Sequence, residues 1–339
     1  MRRRTAAVAI ALVLVGLWTA CASGDGDGGG PSGVSGIEGE PLDSETTPAT
    51  TAESGVTDAP TPSREPRLVS LDWLAGDVSV PGLEGGVAAP AVDAGLQTAV
   101  VDALAGFEGG ASVVVHHLGD GRYAAVNEAQ VWYAASTFKA AVLLEAYRQR
   151  DSGELDFDKL VTLEEKYAEN DLGTLEYLEL EPGDQLTVRD AVKGMIVVSD
   201  TSLALLMIDQ LNSNRIDETL DSVGATVMTV NDTALPTTAL DLAQLMIAIA
   251  AGQGVSPASR DEMLSLLAQE WFTQGIIAGL PSGTTYAHKS GSFTDAVHDA
   301  AIVWGPSGPY VIVVMTDGSN GWDPIAAVSS AVWHYFEGN

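Results

Sequence analysis

Hydrophobic and polar positions fall into a regular pattern only from about Ala91 onward. The stretch "VDAGLQTAVVDALAGF" spaces its apolar residues three and four apart, which predicts a helix. "ASVVVHHL", "GDG" and "RYAAVN" then read as strand, tight turn and strand. Helical spacing dominates a long middle section, at 137–150, 187–211, 213–223 and 238–251. The chain closes on strand-like runs, "TYAHKSGSF", "DAAIVWG" and "YVIVVMTDG", and a last helix, "DPIAAVSSAVWHYFE". Strands at both ends with helices between them predict an α+β fold: N- and C-terminal strands join in one antiparallel sheet, and an all-helical region packs against it. No internal repeat is present.

Residues before Ala91 carry a different signal. Arg2, Arg3 and Arg4 precede an apolar stretch from Val8 to Trp18, the layout of an export leader and too short to span a bilayer comfortably. "LWTAC" resembles a bacterial lipoprotein cleavage box, which implies lipidation of Cys21 and residues 1–21 as a signal segment; Trp18 departs from the smaller aliphatic residue usual there. The expectation is an extracytoplasmic, membrane-anchored lipoprotein, secreted instead if Cys21 is not lipidated. Residues 22–64 are Gly, Ser, Thr, Pro and acidic residues with almost nothing to bury, which predicts a disordered spacer. Residues 65–90 are ambiguous, a short strand or an extended arm, and 91–339 form the folded domain.

Charge narrows the partners. Forty-six acidic residues against 16 basic ones give a formal net charge of −30, a surface that repels nucleic acid and anionic lipid head groups. Any membrane attachment is then by acyl chain and not by basic residues. The one Cys lies at the leader, so internal disulfides are not expected. The five His form no metal-ligand spacing: His116 and His117 are adjacent on a strand and face opposite ways, His288 is structural, and His298 is read as a turn residue. No cofactor or metal is expected, and the expected state is a monomer. Trp132 and Tyr133 are read as core residues, with an aromatic wall to the substrate as the alternative.

Three polar clusters interrupt apolar runs. In "AASTFKAAVLLEAY" Ser136 and Lys139 stand at i and i+3 on one helical face, in a setting poorly suited to a surface lysine. A hydroxyl becomes nucleophilic when a neighbouring base takes its proton, and burial or a second cation lets a lysine serve as that base. Taken alone, an N-capping Ser with a solvated Lys needs no function. "MIVVSDTSLALLMI" places Ser199 and Asp200 between two apolar runs, and "AHKSGSF" places Lys289, Ser290 and Gly291 on a strand. Together, in this order, they resemble the S-x-x-K, S-D-N and K-T-G elements of the class A β-lactamase and penicillin-binding protein superfamily of serine acyl-enzymes.

The resemblance covers about residues 91–339, including "LTVRDAVKGMIVVSD", "TTALDLAQLM" and "HDAAIVWGPSGPYVIVVMTDG". It implies the β-lactamase/transpeptidase-like fold, Ser136 as acylated nucleophile, Lys139 as proton acceptor and Ser199 as relay to the leaving nitrogen. It further implies that Lys289 and the Ser290 hydroxyl hold a substrate carboxylate, that Gly291 permits close approach, and that the N–H groups of Ser136 and Ser292 form an oxyanion hole. The implied substrate is a β-lactam or a related cell-wall peptide amide or ester.

Two departures from the family pattern change the expected chemistry. Thr201 stands where the family has Asn, and offers a shorter reach and one donor in place of an amide. The segment "VGATVMTVNDTALPTTALDL" contains no Glu of the kind that activates water for deacylation in class A enzymes, and the distance along the chain from Ser199 to Lys289 is shorter than theirs. Asp232 is the substitute candidate, with a turn-capping role as its plainer reading. Acylation with slow deacylation is therefore expected. The alternatives are a true β-lactamase with another deacylation base, a non-catalytic cell-wall binding or sensing lipoprotein that keeps the pocket, and an anchored interaction protein using its acidic surface.

Overall fold

The computed structural model describes residues 65–83 and 85–338. The leader, Cys21 and the spacer up to residue 64 lie outside the described residues.

The first part of the domain runs β1 (Ala91–Val92), α1 (Ala94–Leu104), β2 (Ala111–His117), β3 (Arg122–Val126) and β4 (Trp132–Tyr133). A 3₁₀ turn, Ala135–Phe138, leads into α2 (Lys139–Ser152). The helical lobe continues through β5 (Leu160–Thr162), α3 (Glu165–Ala168), α4 (Thr174–Tyr177), β6 (Gln185–Thr187), α5 (Val188–Val197) and α6 (Thr201–Leu211). It ends with α7 (Ser213–Ser222), β7 (Pro236–Thr237), α8 (Ala239–Ala251) and α9 (Pro257–Leu267). The chain then returns to the sheet as β8 (Thr285–Phe293), β9 (Ala296–Gly305) and β10 (Gly308–Thr316), and finishes in α10 (Asp323–Gly338).

The main sheet has the order β1-β3-β2-β10-β9-β8, so strands from the two ends of the chain meet where β2 pairs with β10, Val114 opposite Val313. The sheet is α+β as expected. It is antiparallel except at one edge, where β1 joins β3 in parallel. The apolar strands are two-faced because successive side chains point opposite ways. Val114, Ile302, Val311 and Val313 pack against the helical lobe. Val113, Val115, Val303, Ile312 and Val314 pack against α1 and α10 on the other side. Among the described residues β8, at the far edge, has no strand on its outer side, and its Gly291 lies against Ser136 and Thr137 just before α2.

Several expectations need correction. The helix expected over 187–211 is two helices, because Ser199 has φ 59° and Asp200 caps a fresh start by accepting the Leu203 N–H. The antiparallel pair β5 and β6, joined through α3 and α4, and the helix α9 carry no clear period in the sequence, which does not predict them. Residues 65–90 are an arm: Leu68 bridges Gln185, Leu71 and Val80 are buried, and the Ala88 N–H donates to Leu118 O. His298 is no turn residue; it lies within β9, fully buried, with Nε2 2.9 Å from Tyr133 O. His116 and His117 do face opposite ways, toward Ala88 O and Ser307 O.

Candidate active site

α2 is buried on nearly all sides, and its residues 140–144 are Ala, Ala, Val, Leu and Leu, as suits a helix through the middle of a lobe. Its first turn is shaped by Ala135, which holds φ 46°, and by Thr137, whose buried hydroxyl donates to Ala134 O at 2.6 Å. The Ala134 N–H reaches across to Leu235 O at 2.8 Å. Left-handed backbone at a residue with a side chain costs energy, and such strain concentrates at sites where geometry matters. Here Ala135 and Leu235 carry it in the wall of one cavity, and Ser199 carries it beside Lys139.

Lys139 is 0% exposed, and its amine is surrounded by oxygens. Nζ lies 3.0 Å from Ser136 Oγ, 3.3 Å from Ser199 Oγ and 3.2 Å from Thr201 Oγ1, and it also donates to Ser199 O. Among the described residues no carboxylate is hydrogen-bonded to it. Burial, and then the charge of Lys289, push its pKa down to about 7, against weaker opposition from Asp200 and Glu270. A free amine has two protons to donate and one lone pair. With the protons directed at Ser199 and Thr201, the lone pair can take the proton of Ser136. Asp200 is buried too, and burial raises its pKa; its carboxylate accepts the Leu203 N–H and the Thr174 hydroxyl, which fixes the strained turn that carries Ser199 and Thr201.

β8 supplies the opposite wall. A methyl group built on Gly291 would lie 2.8 Å from Ser136 N and 3.0 Å from Thr137 N, so only glycine lets the strand approach Ser136 this closely. Lys289, two residues earlier, lies on the same face and is 0% exposed. Its amine donates to Ser290 O at 2.9 Å and to Glu270 Oε1. Ser290 and His288 occupy the other face. Ser290 directs its hydroxyl to Glu270 Oε1 at 2.8 Å and its N–H to Glu270 Oε2 at 2.8 Å, so this hydroxyl lies outside the cavity. Because N–H groups point to the open edge at every second residue, Ser292 presents its own to that edge. His288 is structural, as expected: Nδ1 is 3.0 Å from Asp299 Oδ1, and although burial opposes protonation, Asp299 and Glu270 together raise its pKa.

A cavity of about 420 Å³ opens over Ser136, with Thr201 and Ser292 in its wall. Tyr133, expected in the core, is instead 37% exposed and lines this cavity, 5.7 Å from the Phe293 ring. Trp132 is half-buried and donates to Ser112 Oγ at 2.9 Å. Asp232 is exposed and outside the cavity wall; its carboxylate accepts the Ala234 N–H at 2.9 Å and caps a turn. From the segment after α7 the cavity receives Leu235 and no carboxylate. The carboxylates in its wall, Glu169 and Asp171, come from the loop after α3. Neither they nor Glu270 carried a sequence signal: Glu169 and Asp171 sit in a polar loop-like stretch, Glu270 in the largely apolar run "LLAQEWF", and all three are brought in by tertiary packing.

The profile of the Beta-lactamase enzyme family matches residues 95–336, which takes in every residue of this cleft. The chain belongs to that family. Among solved structures it is similar to PBP-A, with 27% identity and a TM-score of 0.69 over 75% of this chain and 100% of that one. A variant of PBP-A, solved as an acyl-enzyme complex with penicillin-G, matches to the same extent. A beta-lactamase from Sphaerobacter thermophilus is 24% identical, with a TM-score of 0.65 over 72% of this chain and 98% of that one, a likeness of fold. No curated protein sequence matches. As a member of the beta-lactamase family, the chain is a β-lactamase-like serine hydrolase, and the expected fold assignment holds.

Proposed function

We propose that the protein forms an acyl-enzyme on Ser136 from a β-lactam or a related cell-wall peptide amide or ester, and releases the acyl group slowly. The observation that carries this reading is the Lys139 amine: fully buried, 3.0 Å from Ser136 Oγ, and with a pKa of about 7. At neutral pH a large share of Lys139 is then a free amine able to take the hydroxyl proton. Ser136 Oγ attacks the carbonyl carbon, its proton passes to Lys139 Nζ, and the N–H groups of Ser136 and Ser292 receive the developing oxyanion. Each such donor lowers the barrier by about 3 kcal/mol. As the carbon–nitrogen bond breaks, Ser199 gives its proton to the leaving nitrogen and recovers one from Lys139. Lys289 supplies positive charge for a substrate carboxylate. The penicillin-G acyl-enzyme of the PBP-A variant supports a β-lactam as the acyl donor.

Deacylation needs a base on a water molecule, and the capped Asp232 does not meet that need. A second reading, turnover as a true β-lactamase, is favoured by one observation: Glu169 shares the cavity wall with Ser136. In this reading Glu169 takes the proton from water. As to location, we infer export and acyl anchoring through Cys21, with residues 22–64 giving the cleft reach into the wall.

Intact-protein mass spectrometry with penicillin-G tests the reading. A one-to-one adduct that persists for many minutes and is absent in Ser136→Ala supports it. No adduct on the wild type would instead leave a pocket that binds without covalent chemistry. Rapid loss of the adduct with continued substrate consumption, abolished by Glu169→Gln, would favour turnover.

A further inference from the structure

The arm ahead of the domain lies outside the part matched to the family, which begins at residue 95. It runs beside β6, with the Val69 N–H on Gln185 O and the Gln185 N–H on Arg67 O, both at 2.8 Å. Further along, Gly76 exchanges two 2.8 Å hydrogen bonds with the Gln269 side chain after α9. From this frame two side chains reach α4 and the chain that leaves it. Arg67 donates to Glu179 O and, at 2.8 Å, to the buried Asp184 carboxylate. The Trp73 ring lies 5.9 Å from the Tyr177 ring, which in turn meets Trp271 at 4.7 Å. The Trp271 N–H donates to Val197 O, two residues before Ser199. α4 needs such a hold: it is a single turn, too short to persist on its own hydrogen bonds, entered at Gly173 with φ 95° and left at Glu179 with φ 54°.

We propose that the N-terminal arm is a positioning element for the cleft, with Arg67 and Trp73 as its positioning residues: they hold α4 so that Thr174 keeps Asp200, and with it the turn at Ser199, in place. The inference rests on the reading of Ser136 as nucleophile and Ser199 as proton relay. Each link is a direct contact. Thr174, the first residue of α4, donates its hydroxyl to the buried Asp200 carboxylate. Asp200 takes the Leu203 N–H at 2.6 Å and so fixes the start of α6. Ser199, next to it, holds its Oγ 3.3 Å from Lys139 Nζ. The chain leading into α4, residues 169–172, is itself cleft wall, and Asp171 in it accepts the Thr174 and Leu175 N–H groups at 3.0 and 3.1 Å. Neither Arg67 nor Trp73 lines the cavity over Ser136, so their effect on the reaction passes through α4.

Single-turnover acylation by penicillin-G in the full chain tests this with a double-mutant cycle. Trp73 is 56% exposed, so its removal leaves a folded protein. Trp73→Ala should lower the limiting acylation rate by about threefold to tenfold, the worth of one aromatic pair, and Trp73→Phe should restore most of it. Thr174→Val removes the hydroxyl that reaches Asp200, and in that background Trp73→Ala should cost little more. A wild-type rate in Trp73→Ala overturns the proposal, and so does a loss of the same size with and without Thr174→Val. Amide hydrogen exchange on the same samples keeps the two claims apart. Faster exchange at Thr174, Leu175 and Leu203 in Trp73→Ala, restored in Trp73→Phe, upholds the arm's hold on the turn even where the wild type forms no adduct and the reading of Ser136 falls. Unchanged exchange at these three amides overturns that hold even where acylation proceeds.

Discussion

Two lysines in this molecule are equally hidden from water and have opposite surroundings. Lys139, at the start of α2 in the helical lobe, is ringed by hydroxyls and one carbonyl. Lys289, on the edge strand of the sheet, is gripped by a carboxylate. Burial alone thus does not decide what an amine does. The hydroxyl-lined site withdraws water without returning an anion, and its amine loses affinity for a proton. The sheet edge returns the anion, and its amine is paired with Glu270. In the proposed reaction the cleft between them receives a base from one wall and an anchor for a carboxylate from the other.

That contrast can be broken most sharply by shortening each amine in turn. Lys289→Met strands Glu270 without its cation, which should cost about 3–5 kcal/mol in urea unfolding. Lys139→Met fills the same space and strands no anion, since Asp200 keeps its bonds to Leu203 N–H and Thr174; its stability should stay within about 1 kcal/mol of wild type. Equal losses in the two variants would remove the distinction.

The close contact between the two walls gives a smaller effect. Gly291→Ala pushes a methyl against Ser136 N and should destabilise by about 1–3 kcal/mol, with acylation falling because the strand and the nucleophile separate. Unchanged acylation in a folded Gly291→Ala protein would show that the walls need not meet so closely. The smallest effect is a gain. Ser199→Gly relieves the left-handed backbone and should stabilise by about 0.5–1 kcal/mol while acylation drops, the pattern of strain retained at a functional site. A loss of stability there would mean that the Ser199 hydroxyl also holds the fold together.

How much of this was legible in the amino-acid order depends on how local each feature is. Ser136 and Lys139 are one turn apart on a helix, and Lys289 and Gly291 alternate on a strand, so their periodicity could be read directly. The two-faced strands of the sheet were legible for the same reason. The break at Ser199 was hidden because apolar runs on both sides continue the helical period across it, and only a positive φ betrays it. Tyr133 looked like core because its neighbours are apolar, yet β4 ends at the cavity mouth and turns it outward. Glu270 and Glu169 were invisible because nothing in "AQEWF" or "YAEND" marks a carboxylate that packing will later bring to the cleft. The direction of the Ser290 hydroxyl follows from Glu270, and so could not be read before it.

The most direct test of a lysine base is the rate of acylation by penicillin-G measured in single turnovers from pH 5.5 to 9. Below the Lys139 pKa the amine is protonated and cannot accept the Ser136 proton; above it the amine is free. With Lys139 as the base, the rate rises with pH through a midpoint of about 7 and levels off above it. A rate that is flat over this range, or that keeps climbing toward the ordinary lysine value near 10.5, would contradict it.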